Sequence, residues 1–287
     1  MSINNQIKIK KLPKSEVEII ITIPWEEIKK SYDNFFEKAA AEIQIKGFRK
    51  GKAPKKIIEE QLDKSKIYSQ VIQEIIPKYY EEIIKTNNFR PLITPKITLV
   101  SAEENSDWEV KILICEEPQL DLGNYKDSLA KLNKNVKIWV PGEKQKEEDK
   151  NKNKEEKIQK IVKWFLENIK IELSDLVIEE EVNRRLSELI EQTQKVGLTV
   201  DQYLASIQKT PEELKNEYRK QALEIWQLEL ILNKISEEEK IVVENKEIDE
   251  LIQKVPSEEE KRALEEKRYL LASVIRRQKT LDFLANL

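Results

Sequence analysis

A chain of 287 residues with 51 Lys and Arg against 54 Asp and Glu carries a formal net charge of −3, which excludes a globally basic nucleic-acid binder. The absence of histidine removes the commonest general base and transition-metal ligand, and a single cysteine, Cys115, excludes an internal disulfide and a cysteine zinc cage. Only 5 glycines occur in the whole chain, too few for a glycine-rich phosphate loop or a many-turned β-barrel.

The first residues, MSINNQIKIK, contain no apolar core of a secretory signal, and no window approaches the ~18 apolar residues of a membrane span, so the expected location is the cytoplasm, with no membrane partner. Residues 16–23 (EVEIIITI) alternate, with Val17, Ile19, Ile21 and Ile23 on one face, and predict a half-buried strand. Pro24 opens a helical stripe of Trp25, Ile28, Tyr32, Phe35, Phe36, Ala39 and Ile43, at spacings of three and four. The stripe stops at residues 45–56, IKGFRKGKAPKK. Lys46, Arg49, Lys50, Lys52, Lys55 and Lys56 place six positive charges in these twelve residues, without an acid, around Phe48 and between Gly47 and Gly51.

Pro54 suits the first turn of the next helix, which Ile57, Ile58 and Leu62 continue. A further helix is expected from about Lys66 to Lys85, kinked or divided at Pro77. Strand patterns return at 96–101 (KITLVS) and 107–115 (DWEVKILIC), where Cys115 reads as a buried strand residue rather than a reactive thiol. Residues 1–117 therefore predict an α+β domain, a small antiparallel sheet with helices on one side.

Residues 118–157 read as a linker: a weak mixed pattern to 140, then PGEKQKEEDKNKNKEEK (141–157), a stretch that cannot build a core and is either linker or solvated helix extension. Residues 158–287 predict an all-α domain with helices at 158–170, 174–196, 199–207, 211–235, 245–254 and 257–286. Thr199/Gln202, Thr210/Glu213 and Ser257/Glu260 have capping-box spacing, and Gly197 suits a helix end.

A charged turn between helices is ordinarily solvated surface. Here the charges share one sign within a slightly acidic chain, glycines bracket Phe-Arg-Lys, and an exposed Phe beside Arg is an anchor-and-charge pair suited to a polyanionic surface. On the residues alone, the loop binds something acidic, such as RNA or a ribonucleoprotein. No Walker spacing accompanies Gly51-Lys52. The acidic runs Glu179-Glu180-Glu181 and Glu237-Glu238-Glu239 read as helix surface, and Trp164, Phe165, Tyr203, Trp226 and Leu228 read as core. No catalytic, cofactor-binding or metal-ligating residue is identified.

Gly47-Phe48-Arg49-Lys50-Gly51-Lys52-Ala53-Pro54 resembles the ribosome-docking signature of trigger factor, Gly-Phe-Arg-x-Gly-Lys-x-Pro, and departs from it nowhere. The resemblance continues in EEPQLDLGNYKD (116–127), VGLTVDQYL, TPEELKNEYRKQALEIWQLELILNKISEEEKI and RYLLASVIRRQKTLDFLANL. It implies a ribosome-docking α+β domain followed by an all-α arm or cradle domain. The implied activity is that of an ATP-independent chaperone for nascent and unfolded polypeptides, docked beside the polypeptide exit of the large ribosomal subunit. The resemblance also allows a homodimer when free. It implies that Gly47, Phe48, Arg49, Lys50, Gly51, Lys52 and Pro54 form the docking site, supported by Lys46, Lys55 and Lys56, with Phe48, Arg49 and Lys50 on ribosomal protein and rRNA.

Family members usually carry an FK506-binding-type prolyl-isomerase domain between the two parts. The thirty residues between Asp127 and Ile158 hold Gly142 as their sole glycine and cannot form one, so an enzyme is not expected. The competing readings are a ribosome or RNA assembly factor without clients, a residual prolyl isomerase, and a secreted parvulin-linked chaperone, against which the docking loop and the missing signal count.

Overall fold

The computed structural model describes residues 7–45, 48–49, 54–134 and 147–287. The chain divides into two compact units, Met1–Glu117 and Pro118–Leu287.

The first unit is built on a four-stranded antiparallel sheet of order β1-β2-β4-β3, comprising β1 (Ile7–Lys11), β2 (Glu16–Ile23), β3 (Lys96–Ser101) and β4 (Trp108–Cys115). The alternation read at 16–23 places Val17, Ile19, Ile21 and Ile23 opposite Ile114, Ile112, Val110 and Trp108, and all eight are buried. The long helices α1 (Trp25–Glu42) and α3 (Lys64–Asn87) cover this face through Ile28, Val71, Ile75, Ile76, Tyr79 and Ile83. Two buried hydroxyl residues at this interface have partners: Tyr79 donates to Glu27 at 2.7 Å and Ser31 to Glu74 at 2.8 Å. Cys115 is 1% exposed, as its apolar surroundings imply.

Pro77 neither divides nor ends α3. The carbonyl it leaves without a helical partner belongs to Gln73, and Pro77 and Gln73 both lie on the solvent side, where water can satisfy that oxygen. Pro54 is the residue capping α2 (Lys55–Gln61) rather than its first turn. Strand β1 has no counterpart in the sequence reading, because Lys8, Lys10 and Lys11 leave Ile7 and Ile9 as its only apolar residues.

The second unit is helical: α4 (Tyr125–Lys134), α5 (Glu147–Asn168), α6 (Asp175–Lys195), α7 (Val200–Ser206), α8 (Pro211–Glu238), α9 (Asn245–Gln253), α10 (Glu258–Glu265) and α11 (Arg268–Ala285). Its main core joins Ile161 and Phe165 of α5, and Ile169 just after it, to Ile231, Leu232 and Ile235 of α8 and to Leu284 of α11. The expected linker 118–157 is corrected here. Leu122, Tyr125 and Leu129 are buried in that same core. The Tyr125 hydroxyl donates to Glu239 at 3.0 Å, and Lys126 pairs with Glu239 at 2.5 Å. These apolar positions, at spacings of three and four, are enough for a short amphipathic helix that finds its partner in the distant α8. The polar run 141–157 is helix from Glu147 onward, and Lys154 reaches Asp282 at 2.7 Å; residues 141–146 lie outside the described residues.

Thr199 and Thr210 form complete capping boxes with Gln202 and Glu213. Ser257 accepts from the Glu260 amide without the reciprocal bond. Gly197, at φ +73°, follows α6 in the left-handed conformation that a Cβ would strain. The single helix expected over 257–286 is two, α10 and α11, broken at Glu266 and Lys267.

Candidate docking loop

The loop of residues 45–56 is carried on a built base. Phe36, Ile58 and Ile67, from three successive helices, form a separate buried cluster, packed by Tyr32, Phe35, Ala40, Ile43, Ile45 and Leu62. The chain leaves α1 through Ile43, whose amide still bonds the Ala39 carbonyl at 3.0 Å, and re-enters helix at Pro54, whose carbonyl accepts from Ile57 and Ile58 at 3.0 and 3.1 Å. Both ends of the loop are therefore tied to one apolar cluster, which fixes where it emerges.

Within the loop, the Phe48 amide bonds the Ile45 carbonyl at 3.1 Å. The Phe48 ring is 40% exposed and Arg49 is exposed. The exposed part of the Phe48 side chain is apolar area available to a partner. Lys46, Gly47, Lys50, Gly51 and Lys52 lie outside the described residues. Lys55 and Lys56 open α2, whose first turn holds no acid. Cations at a helix N-terminus oppose its dipole by about 0.3–1 kcal/mol each. Two lysines at this place are thus unfavourable for the helix itself.

Among the described residues there is no group of His, Cys, Asp or Glu arranged to hold a metal. Phe165 is fully buried, and Trp164, Tyr203, Trp226 and Leu228 are partly buried, in keeping with their reading as core. What the sequence did not single out is the apolar surface. Val196 and Leu198 stand exposed after α6, Leu223 and Ile225 on α8, Val242 before α9, and Tyr269, Leu270 and Val274 on α11. Helical periodicity could not find them, because they lie off the buried stripes that it detects.

The helices bearing these residues are fastened by polar contacts. Arg219 of α8 pairs with Asp175 of α6 at 2.7 Å, and Arg185 donates to Gln221 at 2.7 Å. A second small cluster, Leu189, Leu204 and Leu214, joins α6, α7 and the start of α8. Lys279 of α11 bonds both oxygens of Glu247 at 2.9 Å and the Val242 carbonyl at 2.8 Å, holding α9 in place.

The family model for the bacterial trigger factor protein matches residues 5–149, and that for the trigger factor C-terminus matches residues 128–286. The trigger factors of Staphylococcus aureus strains JH9 and Newman are each 31% identical over 108 residues, 38% of this chain and 25% of theirs. The match thus spans a quarter of the length of these curated relatives. A solved structure from work on promiscuous substrate recognition in folding and assembly activities of the trigger factor chaperone superposes with a TM-score of 0.65 at 15% identity, covering 97% of this chain and 99% of that one. At that identity it speaks for the fold.

Proposed function

The chain belongs to the trigger factor family, and from that premise we propose that it is an ATP-independent chaperone of the cytoplasm that docks on the large ribosomal subunit beside the polypeptide exit and shields nascent chains. The observation that carries the reading is the solvent-facing Phe48–Arg49 pair, in a segment whose flanks are anchored on the Phe36–Ile58–Ile67 cluster. Gly47, Lys50, Gly51, Lys52 and Pro54 complete the docking signature, and Lys46, Lys55 and Lys56 add attraction to rRNA phosphates. Docking of this kind exchanges condensed counterions for protein cations, so it weakens as salt rises.

Clients are held by the scattered apolar surface of the second unit, among it Val196, Leu223, Ile225, Tyr269, Leu270 and Val274. Several separate, weak contacts suit a chaperone better than one deep pocket. They bind many sequences and release a client once its own core forms. The activity is binding rather than catalysis, and the purified protein is expected not to accelerate cis–trans isomerisation of a proline peptide.

The deciding experiment replaces Phe48, Arg49 and Lys50 with alanine and measures co-sedimentation with ribosomes. Truncated anchor residues often cost more than ~2 kcal/mol each, so the triple variant should bind on the order of a thousandfold more weakly. Helicity and melting should be unchanged, and suppression of client aggregation without ribosomes should persist. Retained ribosome binding makes the loop mere solvated surface. Loss of both activities in a folded variant defeats the division of labour between loop and helices.

A further inference from the structure

The two edges of the sheet in the first unit are unlike. Edge strand β1 reads IKIKK, with three lysines in five residues. Charged side chains of this kind keep another strand from adding to an open edge. Edge strand β3 reads KITLVS, with a lysine only at its first position, and all six of its residues are exposed. Ile97 and Leu99 lie opposite Ile112 and Val110, so they continue the apolar face of the sheet. Yet Ile112 and Val110 are 0% exposed, whereas Ile97 and Leu99 are 46% and 40% exposed. The helices that cover the sheet stop short of this edge. Beyond β3, among the described residues, no strand follows in the sheet.

An open edge of this composition selects its occupant. Its unpaired amides and carbonyls require another backbone in extended form, and its uncovered apolar face requires that every second side chain be apolar. A folded protein rarely offers such a segment; an unfolded polypeptide does. The position of the edge agrees. Its far end leads into the turn before β4, which is tied to the start of α3 by the Lys64–Glu104 pair at 3.6 Å and by the Tyr68 and Trp108 rings, 5.4 Å between centroids. Only α2 separates α3 from the basic loop. That far end of the edge thus lies toward the part of the unit where α1, α2 and α3 form the base of the loop.

We propose that β3 accepts an extended apolar segment of an unfolded chain as a fifth strand of the sheet, making the docking unit itself a client-binding element. The proposal rests on the chaperone reading above. It adds a backbone-directed site, selective for alternating sequences, to the side-chain contacts of the helical unit.

The test follows amide hydrogen exchange of the full chain with and without a soluble peptide of alternating valine and threonine. At saturation, those amides of Lys96–Ser101 not bonded to β4 should exchange about tenfold more slowly, and those of β1 should not change. The Ile97→Lys/Leu99→Lys variant should lose this protection. Both positions are already exposed, but the wild-type result decides even if the variant does not fold. No protection at β3, or equal protection at β1, overturns the proposal. So does protection that grows with protein concentration in the absence of peptide, which assigns the edge to a second copy. Ribosome co-sedimentation and aggregation suppression, measured on the same preparation, keep the two readings apart. If both persist while β3 stays unprotected, only the fifth-strand proposal falls; if both are absent, the chaperone reading itself is overturned.

Discussion

The two units are built in opposite ways. The first concentrates: one sheet face and two helices make its main core, a small cluster of Phe36, Ile58 and Ile67 lies beside it, and its candidate chemistry is gathered into a loop whose charges share one sign. The second distributes: its core is split between a junction of α4, α5, α8 and α11 and a small cluster where α6, α7 and α8 meet, and exposed apolar residues are spread between them. Concentrated sites leave motifs in a sequence. A binding surface made of separate weak contacts leaves none, because each residue is individually unremarkable as an exposed Leu or Val on a helix.

The strongest test of that division removes one buried side chain from each unit. Phe165→Ala in α5 and Ile112→Ala in β4 both empty positions that are 0% exposed. The expected loss is about 3–5 kcal/mol for the first and about 2–5 kcal/mol for the second. In calorimetry, each variant should lower one melting transition and leave the other in place. A common shift of both would mean that the units unfold as one body, and the contrast drawn above would be one of appearance only.

How much of this was legible beforehand follows the same contrast. The strands β2 and β4 announced themselves because a sheet covered on one face forces strict alternation, and the boundaries of α7 and α8 were given by Thr199 and Thr210 because a capping hydroxyl is a local device. The docking signature could be read whole. What escaped was decided by distant partners. Two isoleucines in β1 carry little pattern until β2 lies beside them, and Tyr125 and Leu129 of α4 become core only against α8. The break between α10 and α11 has no glycine or proline to mark it. Pro77 misled in the other direction, since its cost depends on which side of α3 faces water.

A smaller effect sharpens the picture of the second unit. Thr210 accepts from the Glu213 amide while Glu213 accepts from the Thr210 amide at 2.8 Å. Thr210→Ala should cost about 1 kcal/mol, read as a lowered melting transition of the helical unit alone. Aggregation suppression should be nearly unchanged at temperatures well below that transition.

Similar in size, and opposite in sign for stability and binding, is the effect of reversing charge at the start of α2. Lys55→Glu/Lys56→Glu should stabilise the first unit by about 0.3–1 kcal/mol per residue at low ionic strength, since acids favour a helix N-terminus. The same variant should bind ribosomes more weakly, with a shallower dependence on salt. A variant that is less stable, or that binds unchanged, would remove the argument that these lysines serve a partner rather than the fold.

The pH dependence should be weakest where most proteins vary, and it should separate the units at its alkaline limit. With no histidine in the chain, no side chain has an ordinary charge change between pH 6 and 8, and both melting transitions should be flat there. On the acid side, hydrogen bonds and charge from Lys111 hold Glu18 below the usual carboxylate range, and those from Lys126 do the same for Glu239. Groups with depressed folded values stabilise above the unfolded value of about 4.3 and lose that contribution as pH falls through the folded one. Both units have such groups, so both transitions should fall together in acid. On the alkaline side they should part. Burial, then the nearby Glu104 charge, pushes the Tyr68 hydroxyl up to about 12. Burial also raises Tyr32 and Tyr80, and burial with the hydrogen bond to Glu27 raises Tyr79, all in the first unit. The second unit has Tyr125 and Tyr218 raised mainly by burial. A raised folded value means stability that is complete below the unfolded value of about 10 and lost as pH climbs through the folded one. With more such tyrosines packed around its sheet, the first unit should lose its transition at lower pH than the second, seen as tyrosinate absorbance rising together with loss of the sheet signal in circular dichroism. Loss of the helical transition first would reverse the assignment of which unit depends more on its buried hydroxyls.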